Sequence, residues 1–384
     1  FHLLIDIADV SHAVPAGSAL DREARLRGTA IYLPDRTVPM LPPSISANAC
    51  SLLPGQYRLC LFAVIQITHE GEVVAGTIKR GIMRSAARLT YHDAQAMLDG
   101  TPLPPTHPAH ALPATLLQTL SAAASALEKA ATKRAPIRLD EDAWAITFHP
   151  DGQPAAFVPR ERLATHDMVA SFMIAANTLA ASLAHEHHLP ILYRVHAAPT
   201  TTHPRPAARY SATAGRHNGL GLPLYTHFTS PIRRYADLVA HRAISAWCVG
   251  NTTATVACAP PDMQDRTLAS HLNFTERRAA RSAQDSQNRL AAAFLRPDIG
   301  QNVNIHVTTT TRHGLCVRLT KTGTPSLLPW SAFPDYARMN DDSLHGSIAD
   351  RYTPPVQNGA LLMAALLATC PARGVCVLAS STHA

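Results

Sequence analysis

Arg233 and Arg234 stand side by side just after Ser230 and Pro231. They are the residues best suited to grip an anion. Serine is a favoured N-cap and proline suits the first helical turn, so a helix is predicted from Ser230 to about Trp247. Ile232, Tyr235, Val239, Ala243 and Ala246 recur at helical spacing as its apolar line, while Arg233, Arg234, Asp237, His241 and Arg242 project elsewhere. A helix start offers unpaired N–H groups and a positive dipole end, and guanidinium adds a planar fork of donors. Together these suit a phosphate. A capped amphipathic helix with a solvated basic face fits the same spacing, and spacing alone leaves both readings open.

The wider stretch GLGLPLYTHFTSPIRRYADLVAHRAI, residues 219–244, resembles the signature of the RNase II/RNase R (RNB-domain) family of 3′→5′ exoribonucleases. IADVSHAV, GSALDREARLRGT, YLPDRTVPMLP and CSLLPGQYRLC resemble the opening half of that domain. RSAARLTYHDAQAMLDG (84–100), ILYRVHAAP (191–199, with Arg194 and His196) and the Glu276-Arg277-Arg278 run resemble later parts. The resemblance implies an α+β RNB-type catalytic domain over 1–298, with a mixed sheet, surrounding helices and its start missing. A small all-β OB-fold barrel is implied over 299–384. The implied activity is hydrolytic, Mg²⁺-dependent 3′→5′ degradation of single-stranded RNA to nucleoside monophosphates. Arg233 matches the arginine that contacts the scissile phosphate and is the candidate catalytic residue. Tyr91 falls where the family stacks an aromatic on a base, and Thr229, Ser230 and Arg234 are further candidate RNA contacts.

The chain departs from the family at several positions. The family's catalytic aspartates lie just upstream of the IADVS strand, so the Mg²⁺ ligands are expected before Phe1, and no residue of this chain is assigned to metal. Asp9 reads as a strand-end or turn residue. Ala170 and Ser171 stand where the family carries an acidic pair, and neither can act as a carboxylate. Tyr57 replaces a usual aspartate. Leu315 and Cys316 replace aromatics expected to stack bases. The helical insert between residues 199 and 219 is largely absent.

Several elements must position these residues. Residues 3–10 read as a buried strand, residues 21–27 as a short helix, and 57–68 and 73–83 as strands joined by a His69-Glu70-Gly71 turn. Helices are predicted over 114–133, over 166–188 with Met168, Phe172, Met173, Ala176, Leu179 and Leu183 in period, and from Thr275 to about Leu295. Residues 137–140 and 144–148 read as extended. Pro-rich 101–113, residues 251–262 and residues 331–356 read as loops. Five short strands after residue 298 suggest the barrel.

Composition sets the outer bounds. The 384 residues, 46% hydrophobic, can bury a large core in one or two domains. A net charge of +7, mostly from arginine, favours a polyanionic partner. Seven scattered cysteines without a CxxC pair argue against a disulfide framework or zinc site and fit a reducing, cytoplasmic setting. Charged residues and histidines interrupt the alanine-rich windows before membrane-spanning length, so no membrane partner is expected. The chain opens without methionine on what reads as an internal start. A monomeric exoribonuclease acting on single-stranded RNA is the expected function. The alternatives are a catalytically inactive RNB-scaffold RNA-binding protein and an assembly subunit of a ribonucleoprotein.

Overall fold

The computed structural model describes residues 1–113, 115–134, 144–200, 206–250, 267–311, 313–333 and 358–380. The predicted extended piece at 137–140, the loop at 251–262 and most of the loop at 331–356 lie outside these. In chain order the elements are β1 (His2–Ala8), α1 (Val10–Ala13), α2 (Ala19–Arg27), β2 (Ile31–Tyr32), β3 (Thr37–Val38), β4 (Tyr57–Ile67), β5 (Val73–Arg84), α3 (Tyr91–Leu98) and α4 (Leu116–Lys133). They continue with β6 (Trp144–Phe148), β7 (Pro154–Pro159), α5 (Ala164–Glu186), β8 (Tyr193–Val195), β9 (Arg209–Ser211), α6 (Tyr235–Cys248), α7 (Thr267–Phe294), β10 (Asn302–Thr311), β11 (Gly314–Leu319), β12 (Pro325–Pro329), β13 (Leu361–Cys370) and β14 (Val375–Ser380).

The chain divides into two compact units. The first holds the described residues of Phe1–Ile31, Val38–Leu139 and Arg162–Ala279. The second holds Tyr32–Thr37, the β6–β7 hairpin and the described chain from Ala280 onward. The sequence reading puts its boundary at residue 298, whereas the structure groups residues 280–298 with the second unit.

In the first unit β1, β4 and β5 form an antiparallel sheet in that order. Alternation puts Leu3, Ile5 and Ile7 opposite Ile65, Ala63 and Leu61, with Ile78 opposite Ala63. These side chains share one buried face. The predicted turn joins β4 to β5, with the Thr68 hydroxyl accepting from the Glu70 and Glu72 amides. Alanine-rich faces of α4 and α5 pack on this sheet face, because small side chains let helix backbones approach closely. By length and composition α5 could cross a membrane, contrary to the expected interruption of its apolar run. Within this fold it is a core helix, with Met168, Phe172, Ala176, Ala180 and Leu183 buried.

Helix α6 lies between two apolar clusters. Ala240, Ala243 and Ile244 join the sheet cluster, while Tyr235, Ala236, Leu238 and Val239 join a second one with Val10, Val14, Met40, Leu268 and Leu272. A helix packed on both sides has no solvated face, and every residue from Tyr235 to Ala246 is buried. The expected solvated basic face is therefore absent.

Helix α7 begins at Thr267, earlier than the predicted Thr275. Thr275 resembles a cap in sequence, yet it is buried inside the helix and bonds back to the Leu272 carbonyl. Leu268, Leu272 and Thr275 lie on one buried stripe, which carries the helix through that point.

The second unit is a five-stranded antiparallel sheet, order β12-β11-β10-β13-β14. Ser326 Oγ of β12 donates to the Cys376 carbonyl of β14, so the outer strands meet and the sheet nearly closes into a barrel. Ile305, Val307, Val317, Leu328, Leu366 and Leu378 fill it. Leu315 also faces this core, so only Cys316 of the noted pair is partly exposed.

Gly28 ends α2 with φ of 71°, and a Cβ built there would meet the Thr275 hydroxyl at 2.1 Å. Gly28→Ala combines left-handed strain with this clash. It should lower unfolding stability by about 1–3 kcal/mol, read by urea or thermal melting. An unchanged midpoint would show that α2 and α7 separate easily there.

Candidate functional site

The stretch expected to grip an anion begins with a turn, and the helix follows later than predicted. The Arg233 and Arg234 amides both donate to the Ser230 carbonyl at 3.1 Å. Arg234 is then extended (φ −135°, ψ 126°) because it bridges to Thr29. Ala30 N donates to the Arg233 carbonyl and Tyr235 N to the Gly28 carbonyl, both at 2.9 Å. Residues 28–30 thus hold 233–235 out of helical geometry, and α6 starts at Tyr235 with Arg234 as its N-cap. Ser230 is not the cap.

The amides expected to face a phosphate are engaged by the protein. Asn177 Oδ1 accepts from Phe228 N at 2.8 Å and Thr229 N at 3.1 Å. Asp237 Oδ1 accepts from Ser230 N at 2.7 Å. What the turn presents outward is side chains. Arg233 is exposed, and Thr229 and Ser230 are half-buried. The Thr229 and Ser230 hydroxyls meet no hydrogen-bond partner among the described residues.

Arg234 takes a different position from its neighbour. Its Nε and Nη2 each bond the Asp237 carboxylate at 2.8 Å, a bidentate pair with Asp237 fully buried. Burial alone would raise the Asp237 pKa, but the Arg234 charge and hydrogen bonds outweigh it and hold the carboxyl below the usual range. Further along α6, Arg242 Nη2 donates to Asp21 Oδ1 at 2.7 Å and to the Val14 carbonyl at 2.8 Å. Tyr235 Oη also donates to Asp21 Oδ1. His241 Nε2 donates to the Phe228 carbonyl at 2.8 Å, which leaves Nδ1 as a buried acceptor without a partner.

Tyr91 opens α3 on a capping box made by Thr90 and Asp93. Its carbonyl accepts from Thr165 Oγ1 at 2.9 Å, and its ring stacks on His166 at 4.0 Å between centroids. The residue is 43% exposed. The structure therefore gathers Thr229, Ser230, Arg233 and Arg234 in one turn and sets Tyr91 on a separate α3–α5 junction.

No group of three or more His, Cys, Asp or Glu side chains that could hold a metal occurs among the described residues. The buried carboxylates Asp9, Asp21 and Asp237 are already engaged, and the half-buried Glu276 is paired as well. Asp9 caps α1 and accepts from Ser11 Oγ and from Arg80 Nε at 2.7 Å. Asp21 serves Arg242, Asp237 serves Arg234, and Glu276 accepts from Arg194 at 2.7 Å. Asp6 faces Cys60, and burial raises its pKa. Ala170 and Ser171 supply no replacement. These residues do not fit a Mg²⁺ centre, and no catalytic step is assigned to a metal they hold.

Sequence reasoning missed Asn177, Asp237 and Asp21 as organisers of the turn. A lone asparagine inside the apolar MIAAN run was the available signal, because a buried amide on a core helix must be bonded to something. The histidines beneath the turn were unread as well. His227 Nδ1 and Tyr210 Oη share a hydrogen bond of 2.8 Å. Burial, with the Arg234 charge, pushes the His227 pKa down to about 3. Burial, with His196, pushes His217 to about 4.

Asn177→Leu orphans the buried Phe228 amide, at about 1–3 kcal/mol, and the partly buried Thr229 amide at less. Its expected signature is a lower melting temperature with faster hydrogen exchange at Phe228 and Thr229. Unchanged protection at both amides would refute the anchoring role. The two histidines give stability a pH dependence. Their folded pKa values lie below the unfolded value of about 6.5, so the unfolded chain binds protons first as pH falls. Stability should be full above about pH 6.5 and decline below it, toward about 4 for His217 and about 3 for His227. The slope is at most about 1.4 kcal/mol per pH unit for each. His227→Gln should flatten the part of the urea-unfolding profile that His227 contributes.

Comparison with known proteins places this fold. A family model described as the RNB domain matches residues 1–205 and 201–250. Ribonuclease R 1 of Lactococcus lactis is 30% identical over 371 residues, covering 84% of this chain and 45% of that protein. The chain spans about half the length of the curated relatives it matches. The solved structure of Mycoplasma genitalium RNase R in complex with ribose methylated single-stranded RNA aligns with a TM-score of 0.85 at 21% identity, covering 99% of this chain and 67% of that one. Yeast Ssd1, described as a pseudonuclease, aligns at 0.66 and 17% identity, covering 87% of this chain and 46% of that one. With the signature turn, its bridging to residues 28–30 and a family match over most of the first unit, the chain belongs to the RNB domain family.

Proposed function

We propose that this chain is the RNA-holding part of a hydrolytic exoribonuclease. It would remove nucleoside monophosphates from the 3′ end of single-stranded RNA with Mg²⁺. The observation that carries this reading is the turn at 229–233, which presents the exposed Arg233 beside two unpartnered hydroxyls while protein acceptors fix the surrounding amides. Arg233 contacts the last phosphate, with the Thr229 and Ser230 hydroxyls as further donors. Hydrolysis at a phosphodiester builds negative charge in the transition state, and a positioned guanidinium stabilises it. Arg234 acts through Asp237 by holding the turn. Tyr91 stacks a base, and the barrel after residue 298 serves as an RNA-binding OB-fold. In this reading the Mg²⁺ ligands precede Phe1, and the protein works as a cytoplasmic monomer away from membranes.

A second reading is a catalytically inactive RNB-scaffold protein that binds RNA without cutting it. Ala170 and Ser171 favour it, as does the lack of a metal-competent cluster among the described residues. A structural neighbour that is itself described as a pseudonuclease also favours it.

The two readings separate in one assay. The full-length natural protein is incubated with 5′-labelled single-stranded RNA, with Mg²⁺ or with chelator. Stepwise shortening that chelator abolishes supports the nuclease. Salt-dependent binding with intact RNA under both conditions supports the inactive scaffold. For the nuclease, Arg233→Ala should lower kcat by roughly 10²–10³-fold while Kd changes much less. Equal losses in kcat and affinity would remove Arg233 from its assigned role.

A further inference from the structure

The β4–β5 sheet runs out from under its helices at one end. Ile78 is buried, but two residues later the same face carries Arg80, then Ile82 and Arg84. The strand register sets Arg84 opposite Tyr57 and Ile82 opposite Leu59. Tyr57 is 69% and Ile82 67% exposed. These are large apolar groups on a chain with a net charge of +7. The Arg84 guanidinium lies over the Tyr57 ring at 5.6 Å, and its Nε is steadied by the Gly55 carbonyl at 3.1 Å.

Arg80 is held more firmly. Its Nε donates to the buried Asp9 carboxylate at 2.7 Å, and its Nη2 lies 3.3 Å from His12 Nδ1. Arginine cannot accept a hydrogen bond, so His12 Nδ1 is the acceptor in this contact. Arg80 Nη1 meets no acceptor among the described residues. Asp9, the carboxylate at this end of the sheet, is consumed by its own hydrogen bonds. From residue 51 to 92 the other acids are Glu70 and Glu72 at the hairpin tip, against Arg58, Lys79, Arg80, Arg84 and Arg88.

We propose that this face is a second contact for single-stranded RNA, distinct from the turn at Arg233 and from Tyr91, and resting on the RNA-binding reading above. An exposed aromatic with a guanidinium over it is a stacking platform for a base of any sequence. Arg84 and Arg80 are four residues apart, about 13 Å along the strand, which suits phosphates of different nucleotides. Ile82 packs beneath the sugar–base edge between them. Charge selects this occupant: an acid-poor, arginine-bearing face with an open aromatic fits a polyanion with flat rings better than an apolar or basic protein segment.

The test uses fluorescence anisotropy of a labelled poly-uridine oligonucleotide with the whole chain, across a salt series. Tyr57→Ala should weaken binding by roughly ten-fold, and Tyr57→Phe should retain it. Arg84→Ala should flatten the log-affinity against log-salt slope by about 0.7 for each phosphate that Arg84 neutralises. Both positions are exposed, so a thermal melt should show these variants folded. Ultraviolet crosslinking should place RNA on the peptide containing Tyr57. Wild-type affinity and slope in both variants, with no such crosslink, would overturn the proposal and leave the face to a protein partner, while the Arg233 reading would stand. If the unmodified chain fails to bind RNA at all, the reading beneath both proposals falls.

Discussion

A buried carboxylate has to be paired, and Asp237 meets that requirement in a way that fixes everything around it. Its charge cannot remain in an apolar helix interface without compensation, since an unpaired buried ion costs several kcal/mol. Arg234 supplies the positive charge and Ser230 a backbone donor. Both lie in the turn before the helix, so satisfying Asp237 folds that turn. Asn177 takes the two preceding amides from the far side. Because Arg234, on an extended and bridged backbone, turns inward to Asp237, the adjacent Arg233 in the turn is left on the surface. Two arginines that look equivalent in sequence are therefore divided between structure and surface by one carboxylate.

Much of this fold was legible because its signals are local. The alternation in residues 57–67 and 73–84, the turn between them, and the five short strands of the barrel are written in neighbouring residues. The long apolar period of α5 reads equally well. What the sequence hid are bonds between distant residues. Arg242 meets Asp21 across 221 positions, and Asn177 meets Phe228 across 51. A charged residue on a helix reads as solvated unless its partner is known, which is why Asp237, His241 and Arg242 looked like a wet face. The start of α6 failed for the same reason: Ser-Pro is a sound local cap signal, but the Thr29 bridge overrides it.

The family signature located the site, whereas its chemistry depends on the individual bonds each side chain makes. Asp9 illustrates the difference. It belongs to a recognisable run and carries the right functional group for metal, yet Ser11, Arg80 and the start of α1 occupy it. Burial would raise its pKa, and the hydrogen bonds from Ser11 and Arg80, with the Arg80 charge, bring it below the usual range. A carboxylate so engaged stays ionised but has little capacity left for a cation. Membership of a recognisable run therefore says which functional groups are present, and the bonds around each decide which remain available to a ligand.

The buried layer behind the turn also explains why its histidines must stay neutral. Its formal charges come as pairs: Arg194 with Glu276, Arg234 with Asp237, and Arg242 with Asp21. Each pair sums to zero, so the layer has no surplus carboxylate to offset another cation. Burial disfavours the charged form of His227 and His217, and repulsion adds to it, from Arg234 and Arg194 at His227 and from His196 and Arg194 at His217. Protonating either would add a positive charge to a layer whose carboxylates are already paired. The layer stays neutral only while each pair is whole, and replacing one member leaves its partner charge without compensation.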